Sequence, residues 1–190
     1  DMLGNADAFF GAMRHHGVNF TTPSLQIAMN ELSNHDHSRF LTRTNHVAGR
    51  LASAGAEAAE KDVKKHIMKI AVAFQMTWIG APTLYYGDEA GVCGFTDPDN
   101  RRTYPWGKED FELIEFHRDM IAIHRRNHVL KFGSTKILKA ENEMLAFARF
   151  DEDVQMLTVI NMSDEEQIVK LPVWTANVPM NSHMERLMKI

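Results

Sequence analysis

Cysteine is almost absent from this chain, and its scarcity narrows the class of protein. The 190 residues contain only Cys93, which excludes an internal disulfide framework and a cysteine-based zinc site. A single thiol suits a reducing compartment and slightly favours the cytoplasm, although many secreted enzymes also lack disulfides. The chain is therefore neither a disulfide scaffold nor a zinc-finger type of domain.

Basic charge and long apolar runs are also lacking. The net charge is −4 and no basic stripe is visible, so we expect no nucleic acid as a partner. No apolar run approaches the length of a membrane span, so we expect no membrane contact. Internal repeats and low-complexity segments are not visible either. The apolar fraction of 44% instead indicates a globular protein, with room for one large domain or a domain and a half.

The first two thirds of the chain carry helical and strand signals in alternation. Apolar residues recur at helical spacing in three segments: Ala6–His16, Gly55–Trp78 and Glu109–Asn127. A short strand rich in β-forming residues is expected at Thr83–Tyr86, where Gly87 ends it. The stretch Gly91–Gly107 predicts a long ordered loop, and such loops inside compact domains are usually functional.

Beyond Val129 the pattern changes to short strands separated by turn residues. Four runs have strand character: Thr135–Leu138, Met144–Phe150, Met156–Asn161 and Gln167–Leu171. The order of elements predicts βα units followed by a small antiparallel β-domain, with the boundary near residues 127–134.

The block Ser33–His37 follows an apolar approach and is the first candidate site. An imidazole beside a carboxylate, here His35 and Asp36, can hold a sugar hydroxyl from both sides and place negative charge near a carbocation-like transition state. The same block has a plain structural interpretation, in which its polar side chains cap the next helix. The neighbouring His37 also suggests a metal site, which is disfavoured because adjacent side chains of an extended segment point to opposite faces.

The block Tyr85–Glu89 ends the expected strand with two aromatic and two acidic residues. Its rings could stack on a sugar and its acids could bind hydroxyls. For Asp88 and Glu89 we favour a structural role, in which they hold the following loop by hydrogen bonds.

The loop Asp97–Arg102 gathers charges of both signs. Asp97 and Arg101 could form a fork over ligand hydroxyls, or else a surface ion pair of little energetic value. Phe95 and Trp106 are either stacking platforms or anchors of the loop, and the sequence does not choose between these roles.

Together these blocks resemble the α-amylase family, glycoside hydrolase family 13, in order, spacing and composition. The Asp-Pro-x-x-Arg-Arg stretch points to the branch of neopullulanase, cyclomaltodextrinase and maltogenic amylase. The resemblance covers most of residues 1–150. It is carried by these segments: Ser33–Asp36, Arg39–Thr42, Ala71–Thr77, Gly80–Glu89, and Asp97-Pro98 with Arg101-Arg102 and Trp106.

The resemblance implies an α/β fold, namely the C-terminal portion of a (β/α)₈ TIM barrel followed by a small antiparallel β-domain. Residues 1–130 would hold barrel strands seven and eight with their helices, and residues 131–190 an all-β domain that stops early. The implied barrel elements are strand seven near residues 31–36, a helical layer at Val47–Ile79, strand eight at Thr83–Gly87 and the last helix at Glu109–Asn127.

The resemblance also implies a retaining α-glucan hydrolase that needs no cofactor. It would cleave α-1,4 bonds of starch, maltodextrin or cyclodextrin, with α-1,6 bonds left open. Asp36 corresponds to the carboxylate that stabilises the transition state, and His35 to a histidine that hydrogen-bonds the same sugar. Asp97 and Arg101 correspond to sugar contacts further out.

Two catalytic carboxylates of that family have no match in this chain. A retaining glycosidase needs a nucleophile and an acid/base about 5–5.5 Å apart. In this family the nucleophilic Asp lies in a Gly-x-Arg-x-Asp pattern, and both it and the acid/base Glu precede the His-Asp motif. Arg149–Asp151 mimics part of the pattern but lacks the glycine and falls in the β-domain. We therefore expect the chain alone to be an inactive part of a longer enzyme.

Other interpretations remain beside the glycosidase. One is a metal-dependent hydrolase built on His35, Asp36 and His37, although the glycosidase interpretation expects no metal. Another is a non-catalytic carbohydrate-binding or interaction module, with Asp97, Arg101, Phe95 and Trp106 as its platform. The strand edges of a barrel fragment are a known route to association, so self-association is also left open.

Overall fold

The computed structural model describes residues 5–141 and 143–190, which form two compact units. Among the described residues, the first unit contains 5–28, 77–81 and 124–187, and the second contains 29–76, 82–123 and 188–190. Within these described ranges, no helix is both long enough and apolar enough to cross a membrane.

Helices dominate the first part of the chain and strands the second. In chain order the elements are α1 (Ala6–Gly17), α2 (Thr22–Ile27), β1 (Met29–Asn30), α3 (Phe40–Arg43), α4 (Leu51–Ala54), α5 (Lys65–Thr77), β2 (Ala81–Pro82), α6 (Phe111–Arg126), α7 (His128–Phe132), β3 (Ser134–Glu141), β4 (Met144–Phe150) and β5 (Gln155–Asn161). Short 3₁₀ turns occur at Ala56–Ala59, Asp99–Arg101 and Val173–Ala176.

The first unit is organised around the antiparallel sheet β3-β4-β5. Strand β4 lies in the middle, and a bulge near Leu138 shifts its register against β3. An aromatic cluster supports this unit, because the Trp78 ring lies 4.9 Å from that of Phe147 and 5.5 Å from that of Phe10. Stacked and edge-on ring pairs of this kind stabilise cores beyond their buried area.

The core of the second unit is formed mainly by one face of α5 and one face of α6. Its fully buried members include Met68, Val72 and Leu113, and Met120 is almost as well covered. The apolar spacing along both helices produces these faces. At the surface, Lys69 pairs with Glu112 at 2.5 Å.

Hydrogen bonds pair the two short strands β1 and β2, and the polar loops follow these strands in the chain. Thr83 N–H donates to Asn30 O at 2.9 Å, and Ala81 N–H donates to Ala28 O at 2.8 Å. The two bonds advance in the same direction along both segments, which is the pattern of parallel strands. The Gln75 side-chain amide donates to Asn30 O and Thr83 O at 2.8 and 2.9 Å and so fixes the end of α5 to both segments.

The helix predicted over Gly55–Trp78 is wrong in its first part. Residues 56–59 form a 3₁₀ turn, and α5 begins only at Lys65. Asn45 donates to the carbonyls of Ala58 and Lys61 at 3.1 and 2.9 Å, which occupies groups that a continuous helix would pair internally. Asp62 takes a positive φ of 55°, which ends helical continuity.

Three predicted strands also differ from the structure. Residues 31–36, where strand seven is expected, have no strand conformation, because β1 ends at Asn30. The expected strand Thr83–Tyr86 is not formed, and the strand there is the shorter β2 just before it. Residues 167–171 have no strand conformation, and Ile168 is 99% exposed, so its side chain has no buried face to join. The helices predicted at Ala6–His16 and Glu109–Asn127 and the other three strands are confirmed within a few residues.

Candidate functional site

The loop that carries the His-Asp motif follows β1 and is shaped by its own polar side chains. Asn34 Oδ1 accepts hydrogen bonds from the N–H groups of Asp36 and His37 at 2.9 and 3.2 Å, as in an Asx turn. Ser33 Oγ accepts from Phe40 N–H at 2.9 Å, at the start of α3. Turn formation and capping therefore fall to Asn34 and Ser33, and neither task uses the Asp36 carboxylate.

Asp36 and His35 lie side by side on the surface of the second unit. His35 Nε2 is 3.4 Å from Asp36 Oδ1, and the side chains are 60% and 69% exposed. An exposed carboxylate next to an imidazole can accept and donate hydrogen bonds to adjacent hydroxyls of one ligand. Among the described residues, no three side chains of His, Cys, Asp or Glu are grouped so that they could hold a metal ion.

The second polar loop brings a cation to the same place. Arg101 Nε donates to Asp97 Oδ1, and Arg101 Nη2 lies 3.5 Å from His35 O. The pKa of Arg101 is raised, chiefly by the hydrogen bond to Asp97, with smaller contributions from the charges of Tyr85 and Asp36. The four residues expected at the site, including Asp36, are therefore neighbours in the structure.

A buried arginine lies beneath these loops. Arg39 is fully buried and donates to Tyr86 O at 2.6 Å, to Asp88 Oδ1 at 2.9 Å and to Asn100 O at 2.8 Å. Its guanidinium carbon is 4.0 Å from the centre of the Tyr85 ring, within cation–π range. Arg39 thus joins the His-Asp loop, the Tyr85–Glu89 block and the Asp97–Arg102 loop.

Asp88 is a partner of this buried cation and not an exposed ligand group. It is 3% exposed. Burial raises the pKa of Asp88, and hydrogen bonds from Ser33 and Arg39 act in the opposite direction. These contacts agree with the structural role expected for Asp88.

Arg102, the second arginine of the Arg-Arg pair, makes different contacts from Arg101. Arg102 Nε and Nη2 each lie 2.9 Å from an oxygen of Asp99, a bidentate arrangement. Burial of the Asp99 carboxyl acts to raise its pKa, but hydrogen bonds from Arg102 and from Phe95 N–H outweigh this effect and lower it. The pair holds the loop in shape and leaves Arg101 to face the His-Asp motif.

The two candidate stacking residues have opposite environments. Phe95 is 1% exposed and anchors the loop, whereas Trp106 is 81% exposed. The Trp106 ring lies 4.5 Å from the Tyr104 ring. Of the two, only Trp106 could offer an aromatic face to a ligand.

Two other reactive groups have structural surroundings. Burial raises the pKa of the Cys93 thiol to about 11, so this cysteine is a poor nucleophile near neutral pH. Arg149 is buried in the first unit and donates to the carbonyls of Leu130 and Gly133 at 2.8 and 3.0 Å. Burial lowers the pKa of Arg149 to about 10. These contacts agree with the rejection of Arg149–Asp151 as a nucleophile motif.

Sequence reasoning missed Arg39 and Asn100 as organisers of the site. A signal for Arg39 existed, because it falls inside the motif, three residues after Asp36. For Asn100 the sequence gives only one signal, namely its position between Asp97 and Arg101.

Comparison with known proteins identifies the family of this arrangement. The family described as "Alpha amylase, catalytic domain" matches residues 10–157. The chain therefore belongs to the α-amylase family, and the resemblance drawn from its motifs is confirmed.

Individual relatives agree with the branch expected from the motifs. An amylopullulanase of Thermoanaerobacter thermohydrosulfuricus is 37% identical over 160 residues, which are 78% of this chain and 11% of that protein. Neopullulanase 2 of Thermoactinomyces vulgaris is 32% identical over 173 residues, 89% of this chain and 27% of the relative. A solved cyclomaltodextrinase structure superposes with a TM-score of 0.70 and 29% identity, covering 83% of this chain and 25% of that one. The chain thus spans only 11%, 27% and 25% of the length of these three relatives.

Proposed function

We propose that this chain is the C-terminal part of the catalytic region of a retaining α-glucan hydrolase. The substrates would be α-1,4-linked glucans such as starch, maltodextrin or cyclodextrin, with α-1,6 bonds left open. Membership of the α-amylase family and the names of the relatives support the substrate class. The proposal requires no metal or organic cofactor in the residues of this chain.

The proposal includes a position in the barrel. We infer that β1 and β2, with their parallel hydrogen bonds, belong to strands seven and eight of a (β/α)₈ barrel within residues 1–130. The antiparallel sheet β3-β4-β5 would then belong to a C-terminal β-domain within residues 131–190. Active sites of such barrels lie in the loops after the strands, which is where Asp36 and Arg101 are found.

The observation that carries the chemistry is the exposed Asp36–His35 pair on an internally braced loop, with the Arg101–Asp97 pair beside it. A retaining glycosidase passes through an oxocarbenium-like transition state with positive charge on the sugar ring. A fixed negative charge near that ring stabilises the transition state more than the neutral ground state. Asp36 would supply this charge, and His35 would hydrogen-bond the same sugar.

The remaining groups would hold the substrate further from the cleaved bond. The Arg101 guanidinium donates and the Asp97 carboxylate accepts, so together they can bind adjacent hydroxyls of a neighbouring glucose. The nucleophilic Asp and the acid/base Glu would come from other parts of the full-length enzyme.

The test is the substitution Asp36→Asn in the full-length enzyme. The change keeps the size of the side chain and removes its charge, so we expect kcat on maltotriose to fall by about 10²–10³-fold or more, with an unchanged circular dichroism spectrum. The matched control is Asp62→Asn, which removes the same charge from an exposed turn of the same unit and should leave kcat unchanged. Near-wild-type turnover in Asp36→Asn would disprove the assigned role.

A further inference from the structure

Asn100 occupies an unusual position between the two polar loops. It lies in the 3₁₀ turn Asp99–Arg101, and its side chain is fully buried. The residues on either side of it in the loop, Asp97 and Arg101, face solvent with half-exposed side chains. A buried amide inside an exposed polar loop needs hydrogen-bond partners, because burying it without them is costly.

The partners of the Asn100 amide nitrogen are three carbonyls of the His-Asp loop. Asn100 Nδ2 lies 2.8 Å from His37 O, 2.9 Å from His35 O and 3.3 Å from Asn34 O. An amide nitrogen has two hydrogens, so the two short contacts are full hydrogen bonds and the third shares a hydrogen. The carbonyls of His35 and His37 flank Asp36 in the chain, so this single nitrogen fixes the backbone on both sides of it.

Asn100 is itself held in place by the buried Arg39. Its backbone carbonyl accepts from Arg39 Nε at 2.8 Å, and Arg39 is anchored to Asp88. The buried cation is thus connected to the exposed carboxylate: Arg39 binds Asn100, and Asn100 binds the loop backbone that carries Asp36. Every step of this connection is a hydrogen bond or a covalent link within the second unit.

We propose that Asn100 is a positioning residue for the reaction, which sets the place of Asp36 relative to the Arg101–Asp97 pair. The inference rests on the proposed function, since it assigns Asn100 a role at the same site. Displacing a catalytic group by about 1 Å can cost about 10²-fold in rate, so a residue that braces Asp36 on both sides controls turnover without touching the sugar.

The substitution Asn100→Asp tests the role of the donor nitrogen. Aspartate has the same shape, but it would direct a carboxylate oxygen at carbonyl oxygens instead of an N–H group, so the brace would become repulsive. Asn100→Ser is a milder second variant that removes the brace without adding charge. The matched control is Asn45→Ser, because Asn45 Nδ2 also bridges two carbonyls of the same unit, those of Ala58 and Lys61.

The first measurement is amide hydrogen exchange in the 190-residue chain, which does not depend on any activity. In Asn100→Ser we expect exchange at the Asp36 and His37 amides to rise by about tenfold or more, since the turn loses its brace. In Asn45→Ser the increase should fall on residues near 58–64 and not on the His-Asp loop. Unchanged exchange at Asp36 and His37 in both Asn100 variants would overturn the proposal.

The second measurement is a double-mutant cycle in the full-length enzyme, with kcat/KM on maltotriose corrected for the folded fraction. Asn100→Asp should lower kcat/KM by about 10²-fold in the wild-type background and by less than about threefold in the Asp36→Asn background. Equal losses in both backgrounds would show a general structural role and overturn the proposal. If Asp36→Asn alone leaves kcat/KM unchanged, the proposed function fails, and the exchange result still decides whether Asn100 braces the loop.

Discussion

At the scale of single residues, Arg39 shows how one buried cation can organise several loops. Its planar guanidinium donates to acceptors in fixed directions, and here the acceptors are Asp88, Tyr86 O and Asn100 O. Burying a guanidinium carries a large desolvation cost, which these contacts offset. The geometry of the exposed site therefore depends on a residue that no ligand would touch.

Replacing Arg39 with methionine should destabilise the protein strongly. The variant would leave the Asp88 carboxylate buried without its cationic partner, so we expect the free energy of unfolding to fall by about 3–5 kcal/mol in urea denaturation. Arg118→Met is the control, because Arg118 pairs with Glu115 at the surface of α6 and its loss should cost less than about 1 kcal/mol. Equal effects of the two substitutions would contradict the role given to Arg39.

Residues differ in how far the sequence alone could place them. His35 and Asp36 are adjacent in the chain, and Asp97 and Arg101 are four positions apart, so local geometry brings each pair together. The bonds of Asn100 to the His-Asp loop join residues more than 60 positions apart. Such contacts depend on tertiary packing, which neither spacing nor propensity encodes locally.

At the scale of elements, periodicity predicted the regular segments and failed where tertiary hydrogen bonds intervene. The prediction of α6 was correct because the buried residues of this helix recur at helical spacing. The segment before α5 has similar spacing, but Asn45 and Thr44 bind its backbone from outside, Thr44 Oγ1 accepting from Lys64 N–H at 2.7 Å. The predicted strand at residues 167–171 failed because an apolar side chain there, Ile168, is exposed.

The loop Gly91–Gly107 depends on close backbone packing at Gly94. A Cβ atom at this position would clash with Asp99 O, and a backbone atom cannot move aside as a flexible side chain can. We expect Gly94→Ala to lower the free energy of unfolding by about 2–3 kcal/mol in urea denaturation.

The control for this prediction is Gly11→Ala in the middle of α1. A Cβ atom there meets nothing within 4 Å, so the alanine should raise the free energy of unfolding by about 0.5–1 kcal/mol. The account of the loop would be contradicted if Gly94→Ala were neutral or stabilising.

At the scale of the whole molecule, we propose that the chain holds one part of a family site. Residues 10–157 match the α-amylase catalytic domain, yet the chain spans only 7% of one curated relative and 28% of another. The described residues bring together Asp36, His35, Asp97 and Arg101. The nucleophile pattern and the acid/base glutamate of the family have no counterpart in the sequence, so we expect binding and stabilising groups without the groups that make and break the bond.

The most direct test of this account is an assay of the purified 190-residue chain on maltotriose and β-cyclodextrin. We predict no release of reducing sugar above the blank, while the full-length enzyme hydrolyses at least one of the two substrates. The same assay on Asp36→Asn serves as a control against contaminating amylase. Turnover by the chain alone that disappears in Asp36→Asn would contradict the account, because it would show that the chain carries a complete catalytic site.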